Sequence, residues 1–338
     1  MGVITKFITA TQFYIFGRSR FTRTGWEAAS RDYVDVLERY DLSGRTYAVT
    51  GANSGVGRET AGFLAARGAR VLMLCRSAER AEAARAELAA GLPAGGGGAL
   101  EVLVGDVSLA ADVARLAAAV AARTTTLDGL VCNAGALANE KTSTAEGIET
   151  TFACHLAFGA YLLTRELAPL LRAGKGRVVL TTSGGLYNGR FPGVAAVADP
   201  PSDAFDGQFA YVYAKRGQVL LAEHYARHDP EIPVYASHPG WTDTPAVEAA
   251  YGKKKSYLEP MRTPWQGAEG QCWLLCADAG KLTPGALYLD RAVQRKHLAG
   301  AFFTDGSATK NTDAEVDAMV ADLASLADRV LSAENGAE

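Results

Sequence analysis

Thr50-Gly51-Ala52-Asn53-Ser54-Gly55-Val56-Gly57 is the stretch on which the fold of this chain turns. Thr46 to Thr50, just before it, is a short apolar and β-branched run that reads as a strand. Val56 to Gly68, just after it, carries the apolar spacing of a helix. Glycines between a strand and a helix let the backbone turn tightly and come close to a ligand. The N-terminus of the following helix then offers free N–H groups to an anion such as a phosphate. The spacing Gly-x3-Gly-x-Gly differs from the general dinucleotide fingerprint.

The same strand–turn–helix unit recurs along the chain. Arg70 to Cys75 reads as the second strand, with a helix from Ser77 to Ala90; Leu100 to Val104 is the third, with a helix from Leu109 to Arg123. Gly129 to Cys132 is the fourth strand, and a helix is expected from Glu146 to Leu171. Arg177 to Thr182, Val234 to His238 and Ala286 to Leu289 complete about seven strands. Strands alternating with helices imply right-handed crossovers and a buried parallel sheet. The expected fold is therefore α/β: a Rossmann-type, doubly wound parallel sheet in a three-layer αβα sandwich, spanning 45–305. A basic and apolar extension (1–44) precedes it, and a helical extension (306–338) follows, opened by a capping box at Thr312 and Glu315. Ligands of such sheets bind beyond the carboxyl ends of the strands. Two long loops, 184–209 and 241–262, are expected as lids over that edge.

With 48% hydrophobic and 21% charged residues and a net charge of -3, the 338-residue chain has the balance of a globular protein and no basic face for nucleic acid. Cys75, Cys132, Cys154, Cys272 and Cys276 show no metal spacing and read as reduced core thiols, so no metal site is expected. Reduced thiols place the protein in an intracellular reducing compartment, cytoplasmic or organellar, with mitochondrion and plastid both open. No run of 18 apolar residues crosses a membrane. Lys6, Arg18, Arg20 and Arg23 precede the first acid, Glu27, and Ile4, Phe7, Ile8, Thr11 and Ile15 share one helical face. Residues 1–26 are read as a contact segment, toward their own domain, a partner protein or a membrane surface.

Several strand ends carry chemistry. Cys75-Arg76-Ser77 closes the second strand with no acid to hold a ribose hydroxyl; Arg76 instead offers a fork of donors to a 2′-phosphate, and Arg58 stands one residue past the last glycine. NADP(H) is thus favoured over NAD(H). Tyr211-Val212-Tyr213-Ala214-Lys215 places a phenol and an amine one helical turn apart. A neighbouring ammonium favours the phenolate, so Tyr211 can serve as general acid in reduction and general base in oxidation. Tyr213 lacks such a partner, because Gly217 stands four residues on.

These motifs together resemble the short-chain dehydrogenases/reductases, over nearly the whole chain. The resemblance implies that Gly51, Asn53, Ser54, Gly55, Val56 and Gly57 cradle the pyrophosphate, and that Asp106 meets the adenine. It gives Asn133, Ala134 and Gly135 to the cofactor, and Pro239, Gly240, Thr242 and Thr244 to the nicotinamide amide. It makes Ser183 a catalytic hydroxyl beside Tyr211 and Lys215, with Lys215 also binding the nicotinamide ribose. One position departs. Where the family carries an asparagine that anchors a water to the lysine, counting forward reaches His155 and counting back reaches Leu156, as if the helix held one extra residue. Phe16 to Gly25, Phe205-Asp206-Gly207 and His238 to Pro245 resemble one branch of the family in particular.

The resemblance implies an NADP(H)-dependent oxidoreductase that interconverts a carbonyl, as in a lipophilic aldehyde or ketone, and an alcohol. The competing reading is an inactive subunit with a structural or assembly role in a larger complex, motivated by His155 and the added terminal segments.

Overall fold

A computed structural model describes residues 3–93, 97–135, 137–299 and 305–335, with side chains between residues 11 and 333. Two helices, α1 (Val3–Arg20) and α2 (Arg23–Ser30), lead into β1 (Thr46–Thr50), α3 (Gly55–Ala66), β2 (Arg70–Cys75), α4 (Ala78–Ala90), β3 (Leu100–Val104), α5 (Ala110–Ala121) and β4 (Gly129–Cys132). Then come α6 (Thr150–Phe152), a π-helical stretch (Ala153–Leu162), α7 (Leu163–Gly174), β5 (Arg177–Thr181), α8 (Val194–Ala198), α9 (Gly207–His228) and β6 (Val234–Ser237). The chain continues through α10 (Pro245–Tyr251), α11 (Pro264–Cys276), β7 (Leu287–Leu289), β8 (Ala292–Gln294) and α12 (Asp313–Asn335).

The strands form one sheet in the order β3-β2-β1-β4-β5-β6-β7-β8. All neighbours are parallel except the last pair. The expected seven-stranded parallel sheet is thus eight-stranded and mixed. The extra strand follows from Asp290 and Arg291, both at positive φ, which close a two-residue hairpin that folds β8 back on β7. That turn carries neither Gly nor Asn, so its sequence gives only a weak hairpin signal.

The pleat sends alternate side chains to opposite faces. Ala48, Leu72, Leu74, Leu130 and Leu180 pack with α5, α7, α9 and α12 on one side. Tyr47, Val49, Met73, Val131 and Val179 pack with α3 and α11 on the other. The C-terminal helix belongs to the first layer: Val316, Met319, Leu323 and Leu326 are buried there, and Thr312 and Glu315 exchange both capping hydrogen bonds. Among the described residues, no helix is long and apolar enough to cross a membrane.

The first segment lies against the carboxyl end of the sheet. Phe21 is buried among Tyr187, Trp241 and Leu298, and Phe13 and Phe16 pack at the edge of this cluster. The side chains of Ile4, Phe7 and Ile8, part of the expected apolar face, lie outside the described residues; Ile15, further along that face, is exposed.

Candidate active site

Beyond the carboxyl ends of the strands opens a cleft of about 1260 Å³. The switch point, where β1 and β4 lie side by side and the chain leaves in opposite directions, sits beneath it. Gly51, Asn53, Ser54, Gly55, Val56, Arg76, Asp106, Asn133, Ala134, Gly135, His155, Ser183, Tyr211, Lys215, Pro239, Gly240, Thr242 and Thr244 all line this cleft. Gly57 does not: a Cβ there would meet Gly51 O and Asn133 Nδ2 at 2.4 Å, so this glycine serves close packing of α3 on the turn.

The glycine turn is shaped for an anion. Gly51 and Gly55 hold φ of 65° and 52°, conformations that a side chain resists. A Cβ on Gly55 would press on Thr244, which N-caps α10 across the cleft. Ser54 makes no side-chain cap on α3, so the first N–H groups of that helix are left to the cleft. Asn133 donates from its amide to Thr50 O; with Ala134 it also donates backbone N–H to Thr50 Oγ1, tying the ends of β1 and β4 together. The residues present therefore fit a dinucleotide laid across the switch point.

At the end of β2, Arg76 is largely exposed and leans on Asp106, 3.4 Å away. Ser77 N-caps α4, and Arg80 joins Arg76 and Ser77 on the cleft wall. Sequence reasoning missed Ser77 and Arg80; their place at the N-terminus of a helix after β2 was the available signal. Arg58 is held by Glu87 at 2.7 Å and is not part of the cleft.

Asp206 caps α9 by accepting from the N–H groups of Gln208 and Phe209, which fixes the helix that carries Tyr211 and Lys215. Ser183, at the end of β5, accepts from Gly185 N and lines the cleft with Tyr211, whose phenol it draws toward the ionised form. Lys215 Nζ lies 5.5 Å from the centre of the Tyr211 ring. Burial dominates both groups. It pushes the Tyr211 phenol up to about 12 against the opposing pull of Ser183, and the Lys215 amine down to about 7. In the protein alone, desolvation of the charged forms dominates at both groups; the expected lowering of the phenol draws on the ammonium together with a cationic nicotinamide ring.

The helix after β4 departs from regular α geometry. Ala153–Leu162 is π-helical, the geometry that one inserted residue gives a helix. His155 faces the cleft, its ring edge-on to Tyr211 with centroids 5.4 Å apart. Leu156 faces α9, where a Cβ on Gly217 would come within 2.2 Å of its Cδ2. Counting forward, to His155, gives the residue at the site.

The far wall of the cleft is apolar. Phe13 and Tyr14 of α1 line it together with Trp241, Tyr251, Leu258 and Met261. The Tyr14 ring stacks on Trp241 at 5.9 Å, and its hydroxyl donates to Tyr257 O. The first segment thus supplies part of the site, which local pattern could not reveal. Of the two expected lids, 241–262 covers the cleft. From 184–209 only Gly185, Asn188, Gln208 and Phe209 reach it; Phe191 instead exchanges hydrogen bonds with Asn311, just before α12.

His238 and Arg262 set the loop after β6. His238 Nδ1 accepts from Gly240 N at 2.7 Å, which fixes the turn at Pro239 and Gly240. Arg262, 1% exposed, pairs with Asp290 at 2.5 and 2.8 Å and donates to Phe21 O and Arg20 O at 2.9 and 2.6 Å.

The fold and this constellation define a short-chain dehydrogenase/reductase, and the chain belongs to that family. The short chain dehydrogenase family model matches residues 45–198. The chain is 34% identical over 318 residues to Dehydrogenase/reductase SDR family member 12 of Bos taurus, covering 93% of this chain and 96% of that protein. That is the branch which the stretches at 16–25, 205–207 and 238–245 resemble. Retinol dehydrogenase 12 of Bos taurus is 31% identical over 274 residues, with 78% of each chain covered. Among solved structures, levodione reductase matches with a TM-score of 0.59 at 25% identity, over 73% of this chain and 95% of that one. The family is one of oxidoreductases that interconvert carbonyls and alcohols with a nicotinamide cofactor.

Proposed function

We propose that the chain is an NADP(H)-dependent reductase of a lipophilic aldehyde or ketone, also able to run as an alcohol dehydrogenase, with Tyr211 as general acid/base. The observation that carries this reading is the joining of Ser183, Tyr211 and Lys215 on one wall of a cleft whose other end holds Arg76, Ser77 and Arg80. No acid follows β2, and two guanidiniums beside the N-terminus of α4 suit a 2′-phosphate better than a ribose hydroxyl. When bound, the cofactor supplies the hydride and, oxidised, a positive ring. The protein's part is to hold the substrate oxygen between Ser183 and Tyr211 and to pass a proton at the phenol oxygen. Phe13, Tyr14, Trp241, Tyr251 and Met261 support an apolar substrate, as does the likeness to a protein named for retinol. Exposed Tyr14, Ile15 and Tyr257 near the mouth support a contact of α1 with a membrane surface or partner.

Titration with NADPH and NADH, followed by quenching of tryptophan fluorescence, tests the cofactor. NADPH should bind at micromolar levels and weaken about tenfold or more in Arg76→Ala, the scale of one charge-assisted hydrogen bond, with NADH little changed. Tyr211→Phe should keep NADPH binding and lose turnover on a panel of apolar aldehydes and ketones. Turnover equal to the parent in that variant would overturn the assigned role.

A further inference from the structure

Behind Lys215, on the side away from the cleft, sits Gln218, 1% exposed and one turn further along α9. Its carboxamide is used at both ends. The oxygen accepts from Lys215 Nζ at 3.3 Å, and the nitrogen donates to His155 O at 2.8 Å. Lys215 Nζ also donates to Thr181 O at 2.7 Å. An ammonium has three N–H donors. Two are held by these acceptors, which leaves the third for the cleft that Lys215 lines.

We propose that Gln218 is the positioning residue for Lys215: it ties the amine to the widened turn at His155 and aims its free N–H at the nicotinamide nucleotide. The inference rests on the nicotinamide-cofactor reading of the cleft and adds what that reading does not contain, a residue that decides how the lysine is presented. The π-helical geometry is part of the device. The widened turn brings His155 O within reach of the Gln218 amide, so an inserted residue and a glutamine on a neighbouring helix act as one unit. A carboxamide neither takes up nor releases a proton near neutral pH, so this anchor orients the amine without draining it to the interior. The groups facing Lys215 are Tyr211 on its own helix, Cys154 and His155 on the π-helical stretch, Cys132 at the end of β4 and His238 after β6. Burial pushes both thiols up to about 12, so they stay neutral, and no carboxylate is among the groups that shift the amine. The proton affinity of Lys215, near 7 through burial, therefore answers directly to what stands at position 218.

The test follows NADPH affinity of the full chain from pH 6 to 9 in four proteins: the parent, Lys215→Met, Gln218→Glu and Gln218→Met. In the parent, affinity falls about tenfold as pH rises through the amine's midpoint and one charge-assisted contact is lost. Lys215→Met removes that step and leaves the titration of the nucleotide itself as baseline. Gln218→Glu places an anion beside the amine and should move the midpoint up by a unit or more. Gln218→Met removes the acceptor and should move it down while weakening binding at pH 7. Midpoints that stay put in both variants, or move the same way, would overturn the proposal.

A second readout needs no nucleotide. Lys215 binds its proton more weakly folded than unfolded, so stability to urea rises with pH from the folded midpoint to about 10.5. The difference from Lys215→Met should set in at higher pH for Gln218→Glu and at lower pH for Gln218→Met. Failure of the parent to bind any nucleotide, with these onsets displaced, would refute the cofactor reading and retain the coupling; unmoved onsets refute the coupling.

Discussion

Arg262→Met tests the junction between the first segment and the sheet. The guanidinium makes a paired contact with Asp290 and caps two backbone carbonyls, Arg20 O and Phe21 O, with the arginine 1% and the aspartate 10% exposed. Methionine matches the stem and removes every donor. Asp290 is then left as a buried, unpaired charge, and removal of one partner of such a pair costs about 3–5 kcal/mol. That is a large part of the roughly 5–15 kcal/mol that holds a domain together. The assay is urea unfolding, read as a lower midpoint at unchanged slope. The paired variant Arg262→Met with Asp290→Asn removes both charges while keeping a residue that tolerates the positive φ at 290, and should recover part of the loss, since the cost lies in the orphaned carboxylate rather than in the missing attraction. A loss below about 1 kcal/mol in the single variant, the level of an exposed pair, would refute the reasoning. So would a double variant no more stable than Arg262→Met.

Two further substitutions probe the same region. Burial, then the charge of Arg262, hold His238 down to about 3, so between pH 6.5 and that value the unfolded chain takes up a proton that the folded chain refuses, and stability falls as pH falls. His238→Asn keeps an acceptor for Gly240 N and cannot titrate; its stability to urea should fall less steeply from pH 6.5 to 4, and an identical slope would rule His238 out as a source. A Cβ at Gly17 would lie 2.6 Å from Phe21 and 2.7 Å from Trp241, so Gly17→Ala should cost about 1–3 kcal/mol in thermal unfolding; a neutral result would mean that α1 shifts freely on the sheet.

The strands of this protein are written locally. Runs such as Thr46–Thr50 and Arg70–Cys75 are apolar on both faces because both faces are covered, so their limits match the structure to the residue. Site residues at strand ends are legible for the same reason: the turn chemistry sits next to the strand it closes. What escapes is the product of long-range packing. Arg216 and Arg262 look like surface charges in sequence, yet each is buried, donating hydrogen bonds to backbone carbonyls far along the chain. Gln218 is recognisable only once the helix after β4 is seen to widen at His155. The pairing of Asp290 and Arg291 in a hairpin likewise has only a weak local signature, since aspartate tolerates positive φ but arginine rarely adopts it and no glycine follows. The loop at 184–209 reaches the cleft only in part, because its partner, Asn311 just before α12, lies more than a hundred residues downstream of it.

The clasp on the first segment has a consequence for the order in which the chain assembles. Phe21 and Arg20 emerge early in synthesis, but the groups that receive them, Trp241, Arg262 and Asp290, are made more than two hundred residues later. Contacts of such separation form late, because the entropy of closing the loop is lost before they repay it. The sheet can therefore nucleate around β1 to β5 while α1 waits, with Phe13, Phe16 and Phe21 uncovered. The wall of the cleft that these residues help to build closes late, and a nascent chain carries three apolar rings uncovered until most of its sequence has been made.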